Sequence, residues 1–211
     1  MSGTGNAAAV RIRSAVAADI DAFYEISLRT GDRGGDASAL YGDRRMVGHI
    51  YSAPYLRLRP DFCFVAEDEI GVAGFAVGAP DTRAFEDALE REWWPDLRRT
   101  YSDPSDVAPA DRTPDQRRAH TIHHPAAVPS EVWTPFPAHL HMNLFPRLQG
   151  RGVGPRLLDR WLSAARSAGV SALHVGSNGE NPGAIRFWER MGFTRLDVAV
   201  GGRTVWLGRS L

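Results

Sequence analysis

Hydrophobic positions along the chain switch repeatedly between a period of two and a period near 3.6. "VRIRSAV" alternates as a half-buried strand does, whereas over residues 17–29 Ile20, Phe23, Tyr24, Ile26 and Leu28 recur at helical spacing. The cluster "TGDRGGDAS" then interrupts the pattern with glycine and aspartate, and a second, short helix is predicted over about residues 43–51. "DFCFVAED" and "IGVAGFAVGA" read as two apolar strands joined by an acidic turn at residues 67–69. Residues 82–94 return to helical spacing and end in "EREWWP". Beyond them, about residues 95–137 hold eight prolines and little periodicity, which predicts an irregular insertion with at most short helical pieces rather than a second domain.

The last third is more regular. "AHLHMNLF" is strand-like, and "GVGPRLLDRWLSAARSAG" places Val153, Leu157, Leu158, Trp161, Leu162 and Ala165 on one helical face before Gly169 stops the helix. "VSALHVG" predicts a further strand, "NPGAIRFWERM" a further helix, and "FTRLDVAV" with "RTVWLGRSL" a closing hairpin around Gly201 and Gly202. Strands alternating with helices before a terminal hairpin define an α/β chain with a mixed sheet. Its 211 residues suit one domain, 1–211, with a small, polar and disordered tail at 1–9.

Composition narrows the function by exclusion. Lys plus Arg and Asp plus Glu balance at 25 each, so no global basic field draws the chain to nucleic acid or anionic lipid. No apolar stretch approaches the length of a membrane span, and no basic segment precedes an apolar run at the N-terminus, so a cytoplasmic location is expected. The single cysteine, Cys63, lies between Phe62 and Phe64 and reads as a core thiol. "HTIHHP" invites a metal reading, but without a cysteine pair or paired carboxylates at ligand spacing it reads as surface loop histidines, and no metal is expected.

The informative stretch is "HLHMNLFPRLQGRGVGPRLL". A strand that feeds a helix through Gly150, Gly152 and Gly154 presents unpaired backbone N–H groups and the positive end of a helix dipole to an anion. A Walker loop would need Gly-Lys-Ser/Thr, and a Rossmann turn would need G-x-G-x-x-G with a later acidic residue; neither is present. The remaining class is a loop for the pyrophosphate of an acyl-CoA.

"QGRGVG" resembles the Q/R-x-x-G-x-G/A signature of the GCN5-related N-acetyltransferase (GNAT) family, and "NPGAIRFWERMGF" resembles that family's second signature. Upstream, "LRTGDRGGDASALY", "APYL" and "DTRAFEDALEREWWPDLR" are similar to a bacterial subgroup related to the C-terminal acetyltransferase-like domain of O-GlcNAcases. The resemblance implies a mixed, mostly antiparallel central sheet, splayed at the acyl-CoA site and flanked by helices. It implies acetyl-CoA as co-substrate and direct transfer to an amine of a small molecule or peptide, with monomer and homodimer both open. It also implies cofactor contacts from Asn143, Leu144 and Phe145, from the loop Gln149, Gly150, Arg151, Gly152, Val153 and Gly154, and from Asn181. The backbone N–H near Leu144 is the implied oxyanion donor. Two positions depart from the family: Pro155 has no N–H to give, and Trp188 stands where a tyrosine commonly sits beside the cofactor sulfur.

Period-two spacing places His139, His141 and Asn143 on one strand face, and an imidazole has an intrinsic pKa suited to accepting a proton near neutrality. His141 and, after it, His139 are the candidate catalytic bases. Counting back from the glycine signature leaves this pair one residue out of register with paired histidines in arylalkylamine acetyltransferases, a difference a bulge would absorb. Tyr51, Tyr55, Asp81, Trp93 and Trp94 are candidate walls of the acceptor pocket, while Glu90 and Glu92 read equally as solvated helix charges. A non-catalytic acyl-CoA-binding or interaction module is the alternative to an active enzyme.

Overall fold

The computed structural model describes residues 10–198 and 202–211; the expected tail at 1–9 and Gly201 of the closing turn lie outside the described residues. Among the described residues, seven strands form one sheet in the order β1-β2-β3-β4-β5-β7-β6. They are β1 (Arg11–Ser14), β2 (Cys63–Asp68), β3 (Gly71–Ala79), β4 (Ala138–Leu144), β5 (Ala172–Asn178), β6 (Thr194–Arg195) and β7 (Thr204–Ser210). Every neighbouring pair is antiparallel except β4 and β5, which run parallel.

Helices cover both faces. They are α1 (Ile20–Arg29), α2 (Met46–Tyr51), α3 (Ala53–Leu58), α4 (Thr82–Glu92), α5 (Trp94–Thr100), α6 (Pro114–His123), α7 (Ser130–Trp133), α8 (Val153–Ser167) and α9 (Pro182–Arg190). β3 is buried from Ala73 to Ala79, which explains its near-continuous apolar sequence. Phe75 stacks on Phe23 of α1 at 5.1 Å, while a Cβ added at Gly78 would meet the Trp161 ring of α8 at 2.7 Å, so odd positions of β3 face α1 and even positions face α8. Directly opposed residues in an antiparallel ladder share a face. Asn143, His141 and His139 stand opposite Phe75, Val77 and Ala79, so they lie on the α1 face, and Leu140, Met142 and Leu144 lie on the α8 face. α8 buries the six residues its spacing predicts, with Trp161 fully enclosed and its Nε1 donating to the Phe62 carbonyl at 3.2 Å.

Several local expectations are corrected. The short helix begins at Met46, and the next segment, "APYLRL", is a helix with proline in its first turn. The helix expected over 82–94 ends at Glu92, and a new one starts at Trp94. The insertion holds three helices, and the start of α6 carried a readable signal. Thr113 and Gln116 form a reciprocal cap around Pro114. The "HTIHH" histidines therefore belong to the end of a helix rather than to a loop: a ring nitrogen of His123 lies 2.7 Å from the Tyr101 carbonyl, and Nε2 of His124 lies 2.7 Å from Asp103. Among the described residues, no group of three or more His, Cys, Asp or Glu is placed to hold a metal ion. The β3–β4 register runs unbroken, so no bulge shifts the strand histidines; the irregularity in this part of the sheet falls between Ala66 and Glu67. Cys63 is fully buried, and burial pushes its thiol well above the usual range, where it is a poor nucleophile. No helix among the described residues is long and apolar enough to cross a membrane.

Candidate active site

β4 and β5 are seven residues long each, yet they pair only at Ala138–Leu173 and His139–His174. Beyond His139 the two strands part. The direction of the β4 amides follows from the ladder on its other side. Phe145 N–H donates to the Ala73 carbonyl, and bonded pairs alternate in an antiparallel ladder, so the backbones of Asn143, His141 and His139 also face β3. The amides of Met142 and Leu144 therefore point the opposite way, into the gap. This corrects the expected run of backbone partners: Asn143 and Phe145 are committed to β3, and Met142 takes a place beside Leu144.

A groove of about 630 Å³ runs along the freed part of β4, lined by Met142, Asn143 and Leu144 along the strand and by Gly150, Gly152 and Gly154 at the start of α8. Gly150 and Gly152 adopt positive φ of 69° and 70°, a left-handed backbone that favours glycine, and each has open space where a Cβ would sit. Among the described residues the amides of Gly150, Gly152, Val153 and Gly154 have no acceptor, so they and the dipole of α8 form an anion cradle. Pro155 lines it without an N–H.

Other predicted residues have definite places. Gln149 lines the groove and folds back to donate from Nε2 to the Leu144 carbonyl at 2.9 Å, fixing the strand end. Asn143 donates to Thr30 Oγ1 at 2.7 Å. Asn181 caps α9 by accepting from Ala184 N–H at 3.0 Å, while its amide lies close to Gly34. Trp188 lines the groove, nearly buried between Phe187 and Phe193. Three residues expected at the cofactor lie outside the lining. Phe145 is buried beneath the guanidinium groups of Arg29 and Arg147, Val153 is buried behind the loop, and Arg151 donates to the Arg147 carbonyl at 3.2 Å. Thr30, Arg33, Phe187 and Arg190 line the groove and were not singled out in the sequence.

A second cavity, of about 500 Å³, opens along the other half of β4 at His139, Leu140 and His141. Tyr51, Tyr55 and Trp94 line it. Asp81 and Trp93 do not: Asp81 caps α4 by accepting from Ala84 N–H at 2.9 Å, and Trp93 donates from Nε1 to the His49 carbonyl. Sequence reading missed His174, Phe85 and Trp206, and it missed the segment after α6, Pro125 to Val128, which forms one wall.

The hydrogen bonds around His139 determine its proton. Thr82 Oγ1 donates its one hydrogen to the Pro137 carbonyl at 2.7 Å, so it accepts from Nδ1–H of His139 at 2.8 Å. Nε2 of His139 is then an acceptor, and the Tyr55 hydroxyl donates to it at 2.8 Å. Both ring nitrogens are committed, and burial holds the imidazole well below its usual pKa. His139 is therefore a buried support for Tyr55, not a free base. His141, half-buried, has no hydrogen-bond partner among the described residues and faces the cavity, with its ring 5.7 Å from Tyr55 and 6.2 Å from Tyr51. Burial and the neighbouring His174 push its pKa down to about 4. The neutral-range titration expected of this imidazole is thus displaced by desolvation, and the ring is uncharged at pH 7.

With this geometry in view, the comparisons with known proteins agree. A profile of the acetyltransferase (GNAT) family matches residues 130–193. The crystal structure of SsHAT superposes with a TM-score of 0.87 at 33% identity, covering 96% of this chain and 98% of that one. The chain belongs to the GNAT acetyltransferase family. Protein O-GlcNAcase of Rattus norvegicus is 25% identical over 175 residues, which cover 82% of this chain and 18% of that protein, so the match spans only a small part of that relative's length. A structure of yncA, a putative acetyltransferase from Salmonella typhimurium with its cofactor acetyl-CoA, shares the fold at a TM-score of 0.52 and 18% identity, covering 96% of this chain and 94% of that one.

Proposed function

We propose that this chain is an acetyl-CoA-dependent N-acetyltransferase that passes the acetyl group directly to an amine held in the second cavity. The observation that carries this reading is the closeness of the two sites on β4: the cavity is lined by this strand up to His141 and the groove from Met142 onward, on the stretch beyond His139 where β4 no longer pairs with β5. The amides of Gly150, Gly152, Val153 and Gly154 would hold the cofactor pyrophosphate, and the groove beside Asn143, Asn181 and Trp188 would take its pantetheine arm. The ammonium first gives one proton to solvent, the lone pair of the free amine attacks the thioester carbonyl, and the resulting oxyanion accepts hydrogen bonds from the strand amides. The tetrahedral centre then collapses, the C–S bond breaks, and the thiolate takes a proton from solvent.

His141 suits a late role. An imidazole with a pKa of about 4 does not strip a proton from a free ammonium, but it is uncharged at neutral pH and can relay the proton released once the nitrogen has attacked and turned acidic. A non-catalytic acyl-CoA-binding module is the second reading, favoured by one observation: the residue lining the groove where the pantetheine arm would lie is Trp188, whose indole cannot act as a proton-transfer acid. Calorimetry with acetyl-CoA, followed by CoA release across a panel of amines, separates the two. Binding with turnover of at least one amine is expected; binding without turnover of any would leave the module reading, and no binding at millimolar acetyl-CoA would sink both.

A further inference from the structure

The second cavity has a chemistry that can be read group by group. Its floor and walls are rings: Tyr55 stacks on Phe85 at 4.3 Å, Trp206 lies edge-on to His174 at 5.6 Å, and Tyr51 and Trp94 close the sides. Flat apolar surface of this kind receives a ring or a compact hydrocarbon better than an extended polar chain.

Most of the polar groups that line the cavity are already committed. Arg83 pairs with Glu86, Glu90 pairs with Arg98 at 2.8 and 3.0 Å, and Tyr55 and His139 satisfy one another. Arg83 is the one arginine or lysine in the lining, so among the described residues no cation there is left for an acidic group on the ligand. Asp87, exposed at the mouth, is the lining carboxylate without a partner among the described residues. Deeper in, His174 is locked: its Nδ1–H donates to the Phe136 carbonyl at 2.7 Å, which leaves Nε2 as a lone pair with no protein partner. Burial keeps that ring neutral at pH 7, with a pKa of about 4. The uncommitted groups therefore include a carboxylate at the rim and two neutral imidazoles inside, His141 and His174, and they complement a ligand that is cationic on arrival and rich in N–H.

We propose that this cavity takes a small amine with one positive charge, a flat apolar body and no acidic group, and that Asp87 and His174 select it. Asp87 favours the approach of a cation, and Nε2 of His174 accepts from the nitrogen beside His141. The inference rests on the acetyltransferase reading for its meaning but not for its test, because the cavity is formed by protein alone.

The test is calorimetric titration of three matched compounds, with and without CoA: 2-phenylethylamine, phenylalanine, which adds a carboxylate, and 2-phenylethanol, which lacks the amine. Cadaverine and a short lysine peptide complete the set. The amine is expected to bind at least about tenfold tighter than phenylalanine, phenylethanol or cadaverine. His174→Asn keeps a donor for the Phe136 carbonyl and removes the Nε2 acceptor. It is expected to weaken 2-phenylethylamine about tenfold while acetyl-CoA affinity holds. Asp87→Asn is expected to weaken it about threefold, an effect that shrinks with added salt. Should His174→Asn lower the melting temperature sharply, the compound series on the unaltered protein still decides. Equal binding of phenylalanine or phenylethanol, or a preference for the peptide, overturns the proposal. Amine selectivity without acetyl-CoA binding would uphold this cavity and overturn the acetyltransferase; acetyl-CoA binding without amine selectivity would overturn this proposal and leave the acetyl-CoA site standing.

Discussion

Beyond Met142 the anion-binding groups of the groove come from the backbone, namely strand amides, the left-handed Gly150 and Gly152 and the N–H groups at the start of α8, with side chains such as Asn143, Phe187 and Trp188 along its walls. Before it, the cavity is walled by rings and its polar groups are side chains drawn from α2, α3, α4, β5 and β7. The two sites share one strand, and they differ in how they answer to change. A backbone site tolerates most side-chain substitutions but fails where a left-handed turn is lost. A side-chain site depends on who stands beside whom, and its protonation states are set by neighbours brought from far along the chain.

The histidines are the sharpest point of contrast, and acid should expose it with the largest effect. His139, His141 and His174 line the cavity, whereas among the described residues no histidine lines the groove. All three are held below their ordinary pKa, His141 and His174 to about 4. The unfolded chain therefore takes up protons from about pH 6.5 downward while the folded chain resists until near 4. Their contribution to stability is flat above 6.5 and falls across that window by at most about 1.4 kcal/mol per pH unit for each histidine. Melting temperatures measured from pH 7.5 to 4.5 should show this decline, and His174→Asn should make it shallower. A pH-independent melting temperature would mean that the cavity histidines are more hydrated than their packing indicates.

At the other end, Gly152→Glu imposes a side chain on a φ of 70° and sets a carboxylate in the anion cradle. Acetyl-CoA binding is expected to weaken by about 100-fold or more, from loss of charge-assisted hydrogen bonds, while 2-phenylethylamine binding stays unchanged. Loss of both would show that the sites are coupled more tightly than their separate construction indicates.

At the junction, His141→Ala should slow turnover by roughly 100-fold with acetyl-CoA affinity little altered. Because the ring titrates near 4, the unaltered enzyme should show no ionisation of this residue between pH 6 and 8 in its rate profile. An unchanged rate in the variant would move proton relay to ordered solvent. The smallest effect is expected of Trp188→Tyr, which supplies a hydroxyl in the nearly buried pocket between Phe187 and Phe193. Turnover should rise a few-fold, well below the full range of general-acid catalysis, without change in acetyl-CoA binding. A fall in single-turnover rate would instead give tryptophan an active part.

Legibility follows the same division. The amphipathic face of α8, the glycine turn and the second signature on α9 were readable because helical periodicity and turn chemistry are properties of a few consecutive residues. Even inside the insertion, the reciprocal cap of Thr113 and Gln116 was present as a local signal, hidden by the density of prolines around it. The placing of His139 and His141 on one face was equally legible, since a strand alternates whatever it packs against.

Their chemistry was not. That His139 is saturated depends on Tyr55 and Thr82, 84 and 57 residues away in the chain. That His174 enters the cavity depends on where β5 ceases to follow β4 and on the carbonyl of Phe136. Asp81 and Trp93, equally plausible by residue type, were turned to a helix cap and to the His49 carbonyl. The sequence by itself determined the class of fold and the phosphate-cradling turn, because both rest on backbone conformations written into neighbouring residues. Only the tertiary structure decided which imidazoles keep a free lone pair, which carboxylate stays unpaired and which amides open into the gap, because hydrogen-bond partners and burial come from segments that meet only when the chain has folded.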